Sequence, residues 1–340
     1  MVISFTRQLY ILIKAGIPLL KALQIISLQL PSGKFKNNVE AIIQNIQEGK
    51  SFSESLQNSP KFFSLFFINM IKAAEASGNL TGILKELSEH FIQQRRITRQ
   101  VQAAFMYPIL VLVIAVTILV FLFMYVIPVF VRIFEDLGGT LPATTLFLIG
   151  LSRFTVRWGW LFLILFAVTI GLITFLYRKS PYVKKLINII VWHIPLFGKI
   201  VKTLEIGRFC RTLGTLLSSG VTLAKSLDVL IETTPGVLLR ESLEYIRYKV
   251  EQGENLSASM EETKVFPLTL VKMIQVGEES GKITDIFLDA ASDYEDEVSF
   301  AVSGLLSLLE PVLIVVMGVI VGFIVVALFF PIFSISTLAK

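Results

Sequence analysis

The sequence predicts an all-α, polytopic membrane protein: two homologous helical bundles of about six helices each, combined with three membrane-spanning helices. Three observations predict it. The chain of 340 residues is 54% hydrophobic and only 17% charged, where a soluble domain carries about a quarter charged residues. Its uncharged residues are gathered into runs long enough to cross a bilayer, and one part of the chain repeats another. Disorder is excluded, because a chain this apolar buries more surface than its ordering entropy demands.

In chain order, the first bundle occupies 1–106. Apolar residues in Phe5–Ile13 and Leu19–Leu28 recur at three and four, the period of a helix buried on one side. Gly16-Ile17-Pro18 separates these two helices, glycine as a left-handed cap and proline as the start of the next helix. Further breaks fall at Pro31-Ser32-Gly33, Gly49, Pro60 and Ser77-Gly78. Arg7, Lys14 and Lys21 recur every seventh residue and mark a charged helix face, and the apolar core Leu9–Ile13 is too short for a signal peptide. No segment alternates with period two for long, so no sheet is expected.

A crossing helix needs roughly 20 apolar residues. The first span is placed at 107–127, inside the 32 uncharged residues between Arg99 and Arg132. An outer loop follows at 128–157, because the uncharged run Leu137–Ser152 is only 16 residues long and holds Gly139, Pro142 and three threonines. The second span is 158–177, between Arg157 and Arg178; the second bundle is 178–310; the third span is 311–330, within the 29 uncharged residues between Glu310 and Lys340; 331–340 is an outer tail. Arg95, Arg96 and Arg99 before the first span, and Arg178, Lys179, Lys184 and Lys185 after the second, place the N-terminus and both bundles in the cytoplasm and the C-terminus outside. Anionic lipid is the expected partner of these basic clusters. Nucleic acid is not, since no reader motif accompanies them. The first 106 residues carry 12 basic against 6 acidic side chains, and 178–310 carries 15 against 18.

The repeat appears at an offset of 204 residues. Phe, Arg, Leu, Leu, Gly, Leu, Lys and Leu coincide at 5/209, 7/211, 9/213, 12/216, 16/220, 19/223, 21/225 and 23/227, and Gly49 and Ser53 meet Gly253 and Ser257. One residue drops out near position 60. At an offset of 203, Met70-Ile71 then meets Met273-Ile274, Ser77-Gly78 meets Ser280-Gly281, Pro108 meets Pro311 at the heads of two spans, and Pro128 meets Pro331 at their ends. Glycine and proline staying in step over this distance marks a duplication of bundle plus span.

Catalytic and metal chemistry finds little material. Two histidines, His90 and His193, and one cysteine, Cys210, supply neither a closed zinc site, nor a disulfide, nor a Ser/His/Asp set. Cys210 reads as core packing. Gly49-Lys50-Ser51 imitates the end of a phosphate-binding loop, yet Gln44 stands where the earlier glycine belongs and no strand precedes it. No cofactor, no metal and no ATP hydrolysis are expected. A small transporter or channel subunit is the alternative, disfavoured because the first and third spans carry almost no polar residues.

The segments Ile194–Leu227, Val276–Ile283 (VGEESGKI), Leu309–Leu313 (LEPVL), Ala74–Leu80 (AEASGNL), Met106–Leu110 (MYPIL) and Gly138–Thr145 (GGTLPATT) resemble the type II secretion F family. These are inner-membrane platform proteins of type II secretion systems, type IV pili and competence pseudopili. The resemblance implies two bundles and three spans, and no enzymatic activity. It also implies partners: a cytoplasmic assembly ATPase, pilin-like or pseudopilin subunits, other inner-membrane components, and further copies of the chain as a homo-oligomer.

Against that background three groups are candidate sites. Glu75, Ser77 and Gly78, with Glu278, Ser280 and Gly281, match the family's Glu-x-Ser-Gly signature; they read as a helix stop whose glutamate bonds backbone, or as a corner facing the ATPase. Glu310 and Pro311, with Tyr107 and Pro108 in the first copy, stand at the thresholds of spans. Glu310 is either a contact to a partner or pilin, or a helix N-cap at the headgroups, with the proline in the first turn. Asp285, Asp289, Asp293 and Glu297, spaced by four, form an acidic stripe whose mutual repulsion a cation or the basic first bundle would relieve, within one chain or between two.

Overall fold

A computed structural model describes residues 1–136, 143–194 and 197–338, apart from the side chains of 133–136, 143–145, 331–338 and scattered other helical positions that include Lys184, His193 and Glu310. Among the described residues it is helical throughout, with no strand. The first copy supplies α1 (Val2–Lys14), α2 (Leu19–Gln29), α3 (Lys34–Gln47), α4 (Phe52–Gln57), α5 (Leu65–Ser77) and α6 (Leu80–Phe121). A π-helical turn, Leu122–Val126, leads into α7 (Ile127–Asp136), and α8 (Ala143–Lys179) and α9 (Pro181–His193) follow. The second copy runs α10 (Phe197–Ser218), α11 (Leu223–Thr233), α12 (Val237–Glu251), α13 (Leu256–Thr263), α14 (Leu268–Ser280) and α15 (Ile283–Leu338). Each copy thus has six helices, and the breaks fall at the glycines, prolines and serines that interrupt the apolar period.

The chain divides into two compact units. One comprises Met1–Arg99 and Lys185–Phe300, the other Gln100–Lys184 and Ala301–Lys340. In the first unit each copy has its own core. Phe5, Leu9, Leu23, Val39, Ile42, Phe67 and Leu84 lie in one; Phe209, Cys210, Leu213, Leu243, Ile274 and Phe287 lie in the other. The repeat extends to ring packing: Phe5 meets Phe63 with ring centroids 5.6 Å apart, and their counterparts Phe209 and Phe266 sit 5.0 Å apart. Cys210 is fully buried, and burial pushes its thiol pKa far up, which leaves it an inert packing group.

In the second unit, Ile127, Val131, Leu148, Ile149, Ile324 and Ala327 form a small core. Three helical stretches are long and apolar enough to cross a membrane, within Leu80–Arg132, Arg157–Leu176 and Ile283–Ala327. Two features differ from the sequence reading. Most of 128–157, assigned above to an outer loop, is helical, as α7 and the start of α8; the similar run Gly138–Thr145 falls largely outside the described residues. Pro108 and Pro311 do not begin helices. Pro108 lies inside α6 and Pro311 inside α15, because each bundle's last helix and the apolar run behind it form one element.

That continuity corrects the N-cap reading of Glu310. α15 starts at Ile283, so no free helix N-terminus exists at residue 310. The side chain of Glu310 lies outside the described residues. Pro128 shows how a ring inside a helix is absorbed. It lacks an N–H to donate one turn back, and the π turn stands immediately before it. There the buried Ser152 hydroxyl donates to the carbonyl of Phe123 at 2.5 Å.

Candidate functional site

The Glu-x-Ser-Gly residues do the same thing in both copies. Gly78 ends α5 with φ 68° and Gly281 ends α14 with φ 71°, the left-handed region that a side chain strains. Ser77 donates back to the carbonyl of Ala73 at 2.8 Å, and Ser280 to that of Val276 at 2.7 Å. The glutamate, one turn earlier, reaches across to a different helix. Glu75 accepts from the Phe52 N–H at 2.6 Å, the Ser53 N–H at 3.3 Å and the Ser53 hydroxyl at 2.5 Å. Glu278 accepts from the Leu256 N–H at 2.7 Å, the Ser257 N–H at 3.0 Å and the Ser257 hydroxyl.

Each carboxylate therefore satisfies amides at the start of α4 or α13 that the helix itself cannot pair, and negative charge is favourable at that end. This accounts for the coincidence of Ser53 with Ser257 in the repeat. Ser51 of the false phosphate loop completes the start of α4 through a capping box with Glu54, while Lys50 turns back to donate to Asn45. Glu278→Ala is expected to cost about 2 kcal/mol, measured as a lower unfolding midpoint of the detergent-solubilised chain. Glu279→Ala, one residue away, is expected to leave the midpoint within about 0.5 kcal/mol of the parent.

The acidic stripe faces solvent. Asp285, Asp289 and Asp293 are exposed, and of the four described carboxylates only Glu297 has an ion-pair partner, Lys199 at 3.4 Å. No group of three or more His, Cys, Asp or Glu side chains able to hold a metal occurs among the described residues. Tyr107 and Pro311 are exposed on their helices, and Pro108 is half-buried.

Residues that sequence reasoning left aside build the junction of the two copies. Glu295, beside the stripe, is buried and receives both Nε and Nη2 of Arg211 at 2.9 Å. The Gln93 amide of the first copy also donates to it, at 2.7 Å. Two helical turns away, Glu86 accepts from the hydroxyls of Ser218 and Ser219 at 3.2 and 2.6 Å. Leu216, Val221 and Val229 of the second copy join the first copy's core. A cavity of about 420 Å³ opens beside this junction, lined by His90 and Phe91 of one copy and by Glu205, Arg208 and Thr212 of the other.

His90 is 4% exposed, its Nδ1 has no hydrogen-bond partner, and its ring packs 4.4 Å from that of Phe66. Burial, reinforced by the Arg211 charge, lowers its pKa from 6.5 to about 4. Burial acts oppositely on Glu205, raising its pKa. The sequence held one signal for the junction: Arg7 and Arg211 coincide in the repeat, yet only Arg211 meets a buried acid.

The sequence profile of the type II secretion system (T2SS) protein F family matches residues 5–128 and again residues 209–331. The two windows open 204 residues apart and close 203 apart, the same one-residue slip that the repeat shows. The chain is 32% identical over 335 residues to the type IV pilus assembly protein PilC of Myxococcus xanthus, covering 98% of this chain and 80% of that protein. It is 33% identical to PilC of Pseudomonas aeruginosa, covering 98% and 89%. With the type II secretion system protein F of the same organism it shares 32% identity over 340 residues, covering 98% and 82%. Two matched windows on two six-helix copies, and relatives aligned along almost the whole chain, lead to one conclusion: this chain belongs to the type II secretion system protein F family.

Proposed function

We propose that this chain is the non-enzymatic inner-membrane platform of a type II secretion or type IV pilus machine, coupling a cytoplasmic assembly ATPase to the extraction and polymerisation of pilin-like subunits. In this reading both bundles and the N-terminus are cytoplasmic, the C-terminus is outside, and other inner-membrane components assemble around the spans. Family membership supports the class of machine, and three helices of crossing length support the multi-pass placement.

The observation that carries the coupling is the continuity of α6 and α15, each a single helix that begins among bundle residues and extends through an apolar stretch of crossing length. A helix transmits rotation and tilt along its axis, whereas a flexible linker dissipates them. The bundles would respond to the motor, and the spans would present a changed surface to pilin-like transmembrane helices.

A flexible Gly-Ser stretch inserted between Arg99 and Tyr107 tests this. It is expected to abolish filament assembly or secretion while the full-length chain still reaches the membrane and still binds its ATPase in pull-down. Assembly at the parental level with the insertion in place would defeat the coupling.

A further inference from the structure

The two copies meet asymmetrically. On the first copy the contact uses α5, whose Phe66, Asn69 and Met70 are buried; on the second it uses α10 and α11, through Leu216, Val221 and Val229. Because the copies are homologous, each carries both kinds of surface, and one of each is left over. The spare counterpart of the α5 surface is α14, where Thr269, Lys272 and Met273 replace Phe66, Asn69 and Met70. The spare counterpart of the α10–α11 surface is α1–α2, where Leu12, Ile17 and Ile25 replace Leu216, Val221 and Val229.

Both spare surfaces are open and apolar. On α14, Leu268 is 60% and Val276 is 59% exposed, and with Thr269, Lys272 and Met273 they line a shallow groove. On α1–α2, Ile11 and Leu28 are exposed, and Leu12, Ile17 and Ile25 are only partly buried. Exposed apolar groups clustered on a rigid helix face mark an interaction site.

The charges around the spare surfaces are complementary. Within the chain, Glu86 bonds Ser218 and Ser219; the repeat replaces Glu86 by Asp289 and Ser218 by Lys14. Arg211 lies among Glu86, His90 and Gln93 at the existing junction; the repeat places Arg7 opposite Asp289, Asp293 and Asp296. Arg7, Lys14, Asp289, Asp293 and Asp296 are all exposed, and none has an ion-pair partner among the described residues of the single chain, Lys14 resting over the Tyr10 ring. The acidic stripe and the basic face of α1 are thus the two halves of one contact, arranged as the intrachain junction already is.

We propose that copies of this chain associate head to tail, the α14–α15 surface of one chain seated on the α1–α2 surface of the next, as a repetition between molecules of the contact between bundles. Such an interface is heterologous, so each chain uses two different faces and assembly runs past the dimer, closing as a ring or extending as an open array.

Charge reversal tests it on the full-length chain in detergent. Lys14→Glu and Asp289→Lys are each expected to weaken self-association roughly tenfold by light scattering, and the double variant to restore it, since each interface then pairs the reversed charges. In native membranes, Lys14→Cys together with Asp289→Cys is expected to give an oxidative cross-link ladder, whereas a mixture of the two single variants gives only dimers; Cys210 is buried. Four results would overturn the proposal: unchanged association in both single variants, no rescue in the double, no cross-link in the double-cysteine chain, or equal cross-linking by Asp289→Cys alone, which would indicate a two-fold contact. Loss of ATPase capture with association intact would assign the surface to the motor and overturn it as well.

Discussion

Replacing Arg211 by alanine is expected to destabilise the first unit by about 3 kcal/mol, because it leaves the buried Glu295 carboxylate without its bidentate partner. The two side chains are 19% and 10% exposed, so water compensates little of the loss. For a domain of this size the change corresponds to a fall in unfolding midpoint of about 6–12 °C, read by calorimetry or intrinsic fluorescence on the solubilised chain. Arg211→Met combined with Glu295→Met is expected to recover most of the difference, because the unpaired charge, rather than the absence of an attraction, causes the damage. A midpoint within about 1 °C of the parent for Arg211→Ala would show that the pair contributes little. Gln93→Ala is the milder companion. It removes one hydrogen bond from the first copy to Glu295 and is expected to cost about 1 kcal/mol.

The second large effect depends on pH. His90 has a folded-state pKa near 4 against an ordinary 6.5. Below 6.5 the unfolded chain therefore takes up a proton that the folded chain refuses until about pH 4. Stability present above pH 6.5 is lost as pH falls through that window, by about 3 kcal/mol in all. Glu205 acts with the opposite sign. Its raised pKa gives stability that is present at low pH and lost as pH rises. The difference between the parent and His90→Gln isolates the histidine, since Glu205 is common to both. The parent is expected to lose about 3 kcal/mol more than His90→Gln between pH 7 and pH 4. Parallel curves would place His90 in contact with water.

Much of this fold was legible because glycine and proline punctuate it twice. Gly78 and Gly281 adopt the same left-handed conformation at the ends of α5 and α14, and Ser53 coincides with Ser257 in the repeat. The role of the serines was not legible. Glu75 is 22 residues from Ser53, and only the folding of α4 against α5 brings its carboxylate to the start of α4. Pro108 misled, because a proline beside an apolar run reads as a helix start, whereas a long helix supported on both sides tolerates the ring in its interior.

The acids of α15 show the same limit. Spacing by four puts Asp285, Asp289, Asp293 and Glu297 on one helix face, of which the first three are exposed and Glu297 is half-buried. Glu295 lies between two members of that series, and burial opposite Arg211 distinguishes it. Charge patterning identifies a face. Which member of a cluster turns inward depends on a partner that is 84 residues away in sequence.

The π turn at Leu122–Val126 has a consequence for the symmetry of the duplication. Its counterpart in α15, at 325–329, is ordinary α-helix, and the one-residue slip between the copies lies near position 60, far from this point. The wider turn therefore offsets everything beyond it on one rod by about one residue, roughly 100° of azimuth and about 1.5 Å of rise. Two rods of common ancestry therefore leave equivalent register only past this turn, at the far end of the first span. The equivalence inherited from the duplication thus holds along most of each apolar stretch and ends where α7 begins.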